Sequence, residues 1–344
     1  MDVGRVAGVS GRTVSRVLNG EASILPETRD RVKAAMKALD FRPNMAARAL
    51  KSARSFNICL LTSHFSSFYF AEAVRGAARA CTARYHHLLI EEGTDDPSFA
   101  PDDLLARLKV DGFILLPPLT DRIVLLDALD RLGTPYVRVS PAGAPGRSPA
   151  VTADEASGAR ALAHHLWALG HRRFGFVGGP PGHGATHERR SGFHQGLAEA
   201  GADAESIIEF SCPEEVDVPA SRHRIGRSIA EVGMRAVDAF LALPKPPTAI
   251  FAFSDEIASG ALARAHQLGL SVPGDLAIAG FDDSDIAVLL HPPLTTIRQP
   301  IVEMMEEAVR RLLERDGSRV SQPFEVELLV RASTDPNPRD RVED

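Results

Sequence analysis

From residue 56 onward, short apolar runs alternate with longer stretches of helical period, and this alternation narrows the possible folds more than any other feature. The apolar runs fall at 57–63, 87–92, 112–117, 136–140, 173–178, 248–254 and 276–281. Stretches of helical spacing fall between them, at 71–83, 156–169, 189–200, 228–243 and 256–268. Parallel neighbours need a crossover between them, so strand–helix–strand order predicts parallel sheets covered by helices on both faces. In such sheets ligands bind beyond the carboxyl ends of the strands. At 344 residues the chain exceeds one core, which implies two or three domains.

The first fifty residues follow another pattern. Residues 2–7 read as a short helix with Val3 and Val6 on one side, and Gly8 supplies the positive φ of a tight turn. Val9 gives that turn its buried residue. Ser10 is a good N-cap for a second helix to about Leu18, with Val14, Val17 and Leu18 as its apolar stripe, and Asn19-Gly20 ends it. This is helix-turn-helix spacing, in which the second helix enters the major groove. Its outward positions are Gly11, Arg12, Thr13, Ser15, Arg16 and Asn19. Arg16 suits bidentate pairing with guanine, and Thr13 and Ser15 suit phosphate contacts. A third helix is expected from Pro26 to Leu39, with core positions at Val32, Ala35, Met36 and Leu39. Pro43 stops the chain, and Asn44 can cap a short fourth helix, 45–50.

Charge separates the same two regions. Residues 1–56 hold eleven Lys/Arg against five Asp/Glu, whereas the rest hold 28 against 40. A basic head on an acidic body suits a protein whose head alone meets a polyanion. The N-terminus has no signal-peptide pattern and no apolar run is long enough for a membrane helix, so a cytoplasmic protein without membrane contact is expected. Cys59, Cys81 and Cys212 are too far apart for a CxxC pair, so no disulfide framework or zinc site is expected.

The run 2–52 resembles the lactose-repressor (LacI/GalR) family, most specifically in A-G-V-S-x-x-T-V-S-R-V-L-N, T-R-x-R-V and P-N-x-x-A-R-x-L. The likeness resumes at A-L-G-H-R-R-F-G-F-V-G-G-P (168–180), P-P-T-A-I-F-A-F-S-D (246–255), G-F-D-D-S-D-I-A and P-P-L-T-T-I-R-Q-P (292–300). It implies an all-α helix-turn-helix head on an α/β two-lobed, periplasmic-binding-protein-like domain built of two doubly wound parallel-sheet subdomains. The expected divisions are 1–43 for the head, 44–55 for a hinge helix and linker, 56–155 with 299–317 for one lobe, 156–298 with 318–335 for the other, and 336–344 for a tail. The resemblance makes Asn44 to Leu50 the hinge helix, with Leu50 wedged into the minor groove and Ala47 and Arg48 beside it. Read from the residues alone, Leu50 is an apolar residue packed at a domain junction.

Two departures stand out. Family members carry several residues before the position of Asp2, including a capping threonine, so the expectation is a later start here or a weakly capped first helix. Leu25 stands where they place a serine that caps the third helix.

For the body, the resemblance implies an effector site. Arg189 and Asp282 match residues that hold polar ligand atoms, and Tyr69 and Phe70 match a stacking wall. His183 takes a variable cleft position, Ser254 replaces an asparagine of sugar-binding members, and Gln299 lies on the crossover between lobes. A planar donor, a carboxylate acceptor and an aromatic face suit a sugar. From the residues alone, Arg189 and Asp282 could equally pair with each other across the lobes. The segment 211–227 reads as an insertion beside the cleft, and the polar tail lacks leucine heptads, which favours a homodimer over a tetramer.

Catalytic signals are missing. The glycine-rich stretch 178–184 lacks the GK[ST] ending and the GxGxxG spacing, 282–285 lacks the rest of a calcium loop, and no serine sits in a GxSxG elbow. No catalytic residue, metal or cofactor is therefore expected. The expected function is a transcriptional regulator, a repressor of pseudo-palindromic double-stranded operator DNA, controlled by a small-molecule effector such as a sugar or sugar derivative. Alternatives are a co-repressor-dependent member of the same family, a solute-binding protein and a sugar-modifying enzyme.

Overall fold

A computed structural model describes residues 3–18, 23–41, 54–63, 67–93, 100–180, 183–212, 225–315 and 322–335. The head opens with helices α1 (Val3–Ala7) and α2 (Gly11–Leu18), joined through Gly8 at φ 66°, and the Val9 amide bonds the Gly4 carbonyl at 2.9 Å. Helix α3 (Pro26–Ala38) packs across both. The buried residues are Val3, Ala7, Val14, Val17, Ile24, Val32 and Ala35. The expectation for the first helix needs correction, because Val6 is exposed and Ala7 is inside. In a helix this short, the i,i+4 pair Val3/Ala7 faces the core and i+3 rolls out.

The body has two parallel sheets. The first is ordered β2 (His87–Glu92), β1 (Asn57–Thr62), β3 (Gly112–Leu115), β4 (Tyr136–Val139), β5 (Ala150–Val151). Helices α4 (Phe68–Ala83), α5 (Pro101–Arg107) and α6 (Ile123–Leu132) connect its strands. The second is ordered β7 (Ile207–Phe210), β6 (Phe174–Val177), β8 (Ala249–Ala252), β9 (Ala277–Ala279). Its helices are α7 (Glu155–Ala168), α8 (Gly184–Ala200), α9 (Ile225–Leu241), α10 (Asp255–Gln267) and the short α11 (Asp285–Leu289). Each sheet carries a buried apolar cluster on both faces, as parallel strands require. The chain leaves the second lobe through β10 (Thr296–Arg298) and enters α12 (Ile301–Glu314), which packs on the first lobe. It returns to β11 (Glu327–Leu329), antiparallel to β10.

Several expectations shift. Strands β5, β7, β10 and β11, of two to four residues, are not among the expected apolar runs. Helix α4 begins at Phe68 rather than Ala71, because Ser67 caps it by accepting the Phe70 amide. Helix α9 begins at Ile225, inside the stretch read as an insertion; 213–224 lie outside the described residues. The segment 318–335 is not wholly part of the second lobe. Phe324 bonds across to Thr152 and Asp154 and packs on the first-lobe core, whereas Val326 packs on the second, so the return crossing falls between them. The three cysteines are buried, and burial pushes the Cys59 and Cys81 thiols up to about 12 and about 11, so they act as small hydrophobes. Among the described residues, no helix is long and apolar enough to cross a membrane.

Helices α9 and α10 meet backbone to backbone. A Cβ on Gly260 would lie 1.8 Å from the Ala230 carbonyl oxygen, and one on Gly233 would lie 1.9 Å from that of Ile257. Alanine gains about 1 kcal/mol of helix propensity over glycine, but here the methyl group meets backbone that must move, at about 1–3 kcal/mol. Gly260→Ala is therefore expected to lower the melting temperature by a few degrees in calorimetry; an equal or higher value would show that the two helices do not touch in solution.

Candidate functional site

In the head, Ser10 Oγ accepts the Thr13 amide at 3.1 Å and lies 2.9 Å from Thr13 Oγ1, so the two residues form the start of α2. Gly11, Arg12 and Ser15 are exposed, and Thr13 and Arg16 half-buried. Arg16 Nη2 donates to Ser23 Oγ at 2.8 Å, which ties the guanidinium to the residues before α3. Leu25 makes no side-chain cap to α3 and is 70% exposed, as its substitution for a capping residue implied. Asn19, Asn44, Ala47, Arg48 and Leu50 lie outside the described residues, as does the expected hinge helix.

In the body, a void of about 740 Å³, counted to its mouth, lies between the lobes. Its walls are strand ends and the turns after them: Thr62, Pro117 and Ser140 from the first sheet, and Pro180, Ser254 and Asp282 from the second. Tyr69, Phe70, His183 and Arg189 also line it, so six of the seven expected effector residues come together. The seventh, Gln299, is not at the wall. It sits behind Asp282 and donates to Asp282 Oδ1 at 2.7 Å, which makes it a support for that carboxylate. Ser254 reaches the wall but also caps α10, accepting the Ile257 amide at 3.4 Å.

Arg189, on the second turn of α8, is 3% exposed. Its Nε bonds Glu155 Oε2 at 2.7 Å, Nη1 bonds the Phe253 carbonyl, and Nη2 bonds Asp282 Oδ1 at 3.2 Å. The guanidinium lies 3.7 Å from the Phe281 ring centre and 4.4 Å from that of Phe253. Burial works against its charge, but Glu155 and Asp282 outweigh burial and hold it protonated. Arg189 and Asp282 thus do pair, within the second lobe and not across the cleft. Pairing does not close them to a ligand, since both still line the void.

The carboxyls around this cation are crowded. Burial pushes Asp282 up to about 6, with Arg189 and Gln299 pulling the other way. Burial and the nearby Asp282 push Asp255 up to about 7, although its oxygens accept from Ser284 N, Ser284 Oγ and Thr296 Oγ1 at 2.8, 2.9 and 2.6 Å. Tyr69 is pushed up as well, by burial and then by Glu155 and Asp282. Glu155, Ser140, Phe253 and Glu256 were not expected at the site. An acidic residue in a first helical turn is explained by the helix dipole alone, so Glu155 and Glu256 carry no separate sequence signal. Glu256 Oε1 accepts the Phe68 amide at 2.8 Å, a bond from one lobe to the other at the cavity.

Comparison with known proteins decides the family. Residues 1–44 match the model of bacterial regulatory proteins, lacI family, and residues 163–334 match a periplasmic binding protein-like domain. The chain is 31% identical to the HTH-type transcriptional repressor CytR of Escherichia coli K12, over 97% of this chain and 95% of that protein. The chain belongs to the LacI family. It is a transcriptional regulator with an effector domain, not an enzyme. Two solved structures share the whole architecture. One is the regulator CelR in complex with cellobiose, at 30% identity and TM-score 0.67 over 96% of this chain and 98% of that one. The other is the lac repressor dimer bound to operator and the anti-inducer ONPF, at 26% and 0.67 over 97% and 98%.

The raised carboxyls of this LacI-family chain give it a pH signature. Asp255 and Asp282 are harder to ionise folded than unfolded, so their contribution to stability is complete below about pH 4 and is lost as pH rises through about 6 to 7. The melting temperature should fall between pH 5 and 8 because of these groups. Asp255→Asn, which stays neutral throughout, should fall less over that range; parallel curves would remove Asp255 as the cause.

Proposed function

We propose that this LacI-family regulator is a cytoplasmic homodimer that represses transcription from a pseudo-palindromic operator, and that a neutral sugar or sugar derivative in the interlobe cavity sets its operator affinity. The observation that carries the ligand class is the cavity wall. The rings of Tyr69 and Phe70 on one lobe face Arg189 and Asp282 on the other, with Ser140 and Ser254 adding hydroxyls. An aromatic face opposite a fixed planar donor and a carboxylate suits a polyhydroxylated ring. The CelR–cellobiose complex, with the same architecture, supports this reading. Because lobes 1 and 2 meet through the Glu256–Phe68 bond beside the cavity, a ligand that prefers one degree of closure shifts the population between closures. A dimer matches two heads to two half-sites, as in the operator-bound lac repressor dimer.

In the head, the proposal gives Arg16 a base-reading role. To reach a guanine, Arg16 would exchange its bond to Ser23 for the base edge. Thr13 and Ser15 would contact phosphates, with Ser10, Gly11, Arg12 and Asn19 in the same DNA interface. Asn44, Ala47, Arg48 and the Leu50 wedge would act in the minor groove between the heads.

Fluorescence anisotropy on the DNA upstream of the gene tests the whole reading. Affinity should rise steeply as salt is lowered and fall, or rise, with one sugar of a panel. Arg16→Ala should cost about 1–3 kcal/mol at a single half-site position and little elsewhere; a uniform loss over all sequences would make it a phosphate contact. Asp282→Ala should abolish the response to the sugar and leave operator affinity intact. A variant that still responds normally would place the ligand elsewhere.

A further inference from the structure

The turn after β9 holds two successive non-glycine residues in left-handed backbone, Asp282 at φ 107° and Asp283 at φ 51°. Such conformations cost about 1–3 kcal/mol each and persist only where the surroundings over-determine them. Here they are held from three sides. The Asp282 amide donates to the Ile297 carbonyl at 2.8 Å, the Asp283 amide donates to Thr296 Oγ1 at 3.3 Å, and Asp255 grips Ser284 through its amide and hydroxyl.

The two carboxylates of this turn do different things. Asp282 faces the cavity and meets Arg189. Asp283 does not line the cavity. Its Oδ2 accepts from Arg298 Nε at 2.8 Å and its Oδ1 from Arg331 Nη2 at 2.6 Å. Arg298 is the last residue of β10, where the chain leaves for the first lobe, and it also meets Glu327 at 3.3 Å. Arg331 follows β11, where the chain has returned, and its Nη1 donates to the Leu294 carbonyl at 2.8 Å. Asp283 and Arg331 are well shielded, at 12% and 17% side-chain exposure, so this pair is screened less than a surface ion pair.

We propose that Asp283 is a positioning residue that ties the effector cavity to the roots of both crossovers between the lobes. One rigid, left-handed step joins a carboxylate in the cavity to a carboxylate that clamps β10 and the segment after β11. A shift of Asp282 rotates the turn, and Asp283 carries the shift to β10 and to the segment after β11. Asp282 reaches β10 by itself, through Ile297 and Gln299; the segment after β11 is held to β9 by Ser333 and Ile278, and among the described residues its side-chain link to the turn itself is Arg331 with Asp283. The inference rests on the reading that the effector occupies this cavity, yet the coupling is a property of the empty protein and is tested there.

The experiment is amide hydrogen exchange of the full-length, ligand-free protein, followed at 331–335, beyond the β10–β11 pairing. Asp282→Asn perturbs the cavity end. It should change exchange at 331–335 by about tenfold, the size of one charge-assisted hydrogen bond. In the Asp283→Asn background that response should disappear; asparagine tolerates left-handed backbone, so the turn is kept while the charge is lost. Arg331→Gln, which breaks the clamp from the other side, should remove it as well, with exchange in β6 unchanged throughout. An Asp282→Asn response that is absent in the parent protein, or of equal size in all three backgrounds, would overturn the proposal. A failure to find any sugar that binds would count against the effector reading alone, since no ligand enters this measurement.

Discussion

The buried guanidinium of Arg189 organises the effector domain. An unpaired charge in such a place is prohibitively costly, and removing one partner of a buried pair costs about 3–5 kcal/mol. Arg189 therefore requires what surrounds it: Glu155 at the start of α7, the Phe253 carbonyl at the end of β8, Asp282 after β9, and two aromatic faces. These groups come from segments far apart in the chain. One charge thus pins the first residue of α7, two strand ends and a further helix into a single wall, and that wall is the floor of the cavity. Burial in the same arrangement, with other carboxylates close by, is why Asp282 and Asp255 resist ionisation.

A rigid floor alone does not make a regulator, because a site that only binds has no means of reporting that it is filled. Two features of the second lobe reach beyond the cavity. Glu256, on the first turn of α10, accepts the amide of Phe68 at the start of α4, so a carboxylate of one lobe lies at the helix N-terminus of the other. The Asp282–Asp283 turn lies directly against β10, whose end leads into the first lobe. A ligand shifts a population only where it binds two arrangements unequally, and contacts between the lobes are where two degrees of closure would differ.

The head is held differently. Among the described residues its core holds seven buried apolar side chains, mostly valine and alanine, around a turn that Gly8 enters without strain. So small a core is marginal by itself. Its reading helix is tightened by local polar bonds, Ser10 with Thr13 and Arg16 with Ser23, that leave Gly11, Arg12 and Ser15 facing outward.

Much of this was legible in order along the chain. Periodicity gave seven of the eleven described strands and five of the helices between them, and the turn chemistry of Gly8, Val9 and Ser10 gave the helix-turn-helix, since both depend on neighbours a few residues apart. Five cavity residues, Tyr69, Phe70, Arg189, Ser254 and Asp282, were legible as polar or aromatic groups after strand ends, because in parallel sheets that end is where ligands go; His183 came only from the family resemblance. What tertiary structure decided is everything that depends on distance across the fold. The two- to four-residue strands β5, β7, β10 and β11 exist because a partner strand lies beside them. Gln299 falls behind Asp282 and Glu155 comes forward to Arg189, because lobe packing, not local pattern, sets where a side chain ends. Aspartate tolerates left-handed backbone locally, but two successive such residues at 282 and 283 are held by bonds from β10, Asp255, Arg298 and Arg331.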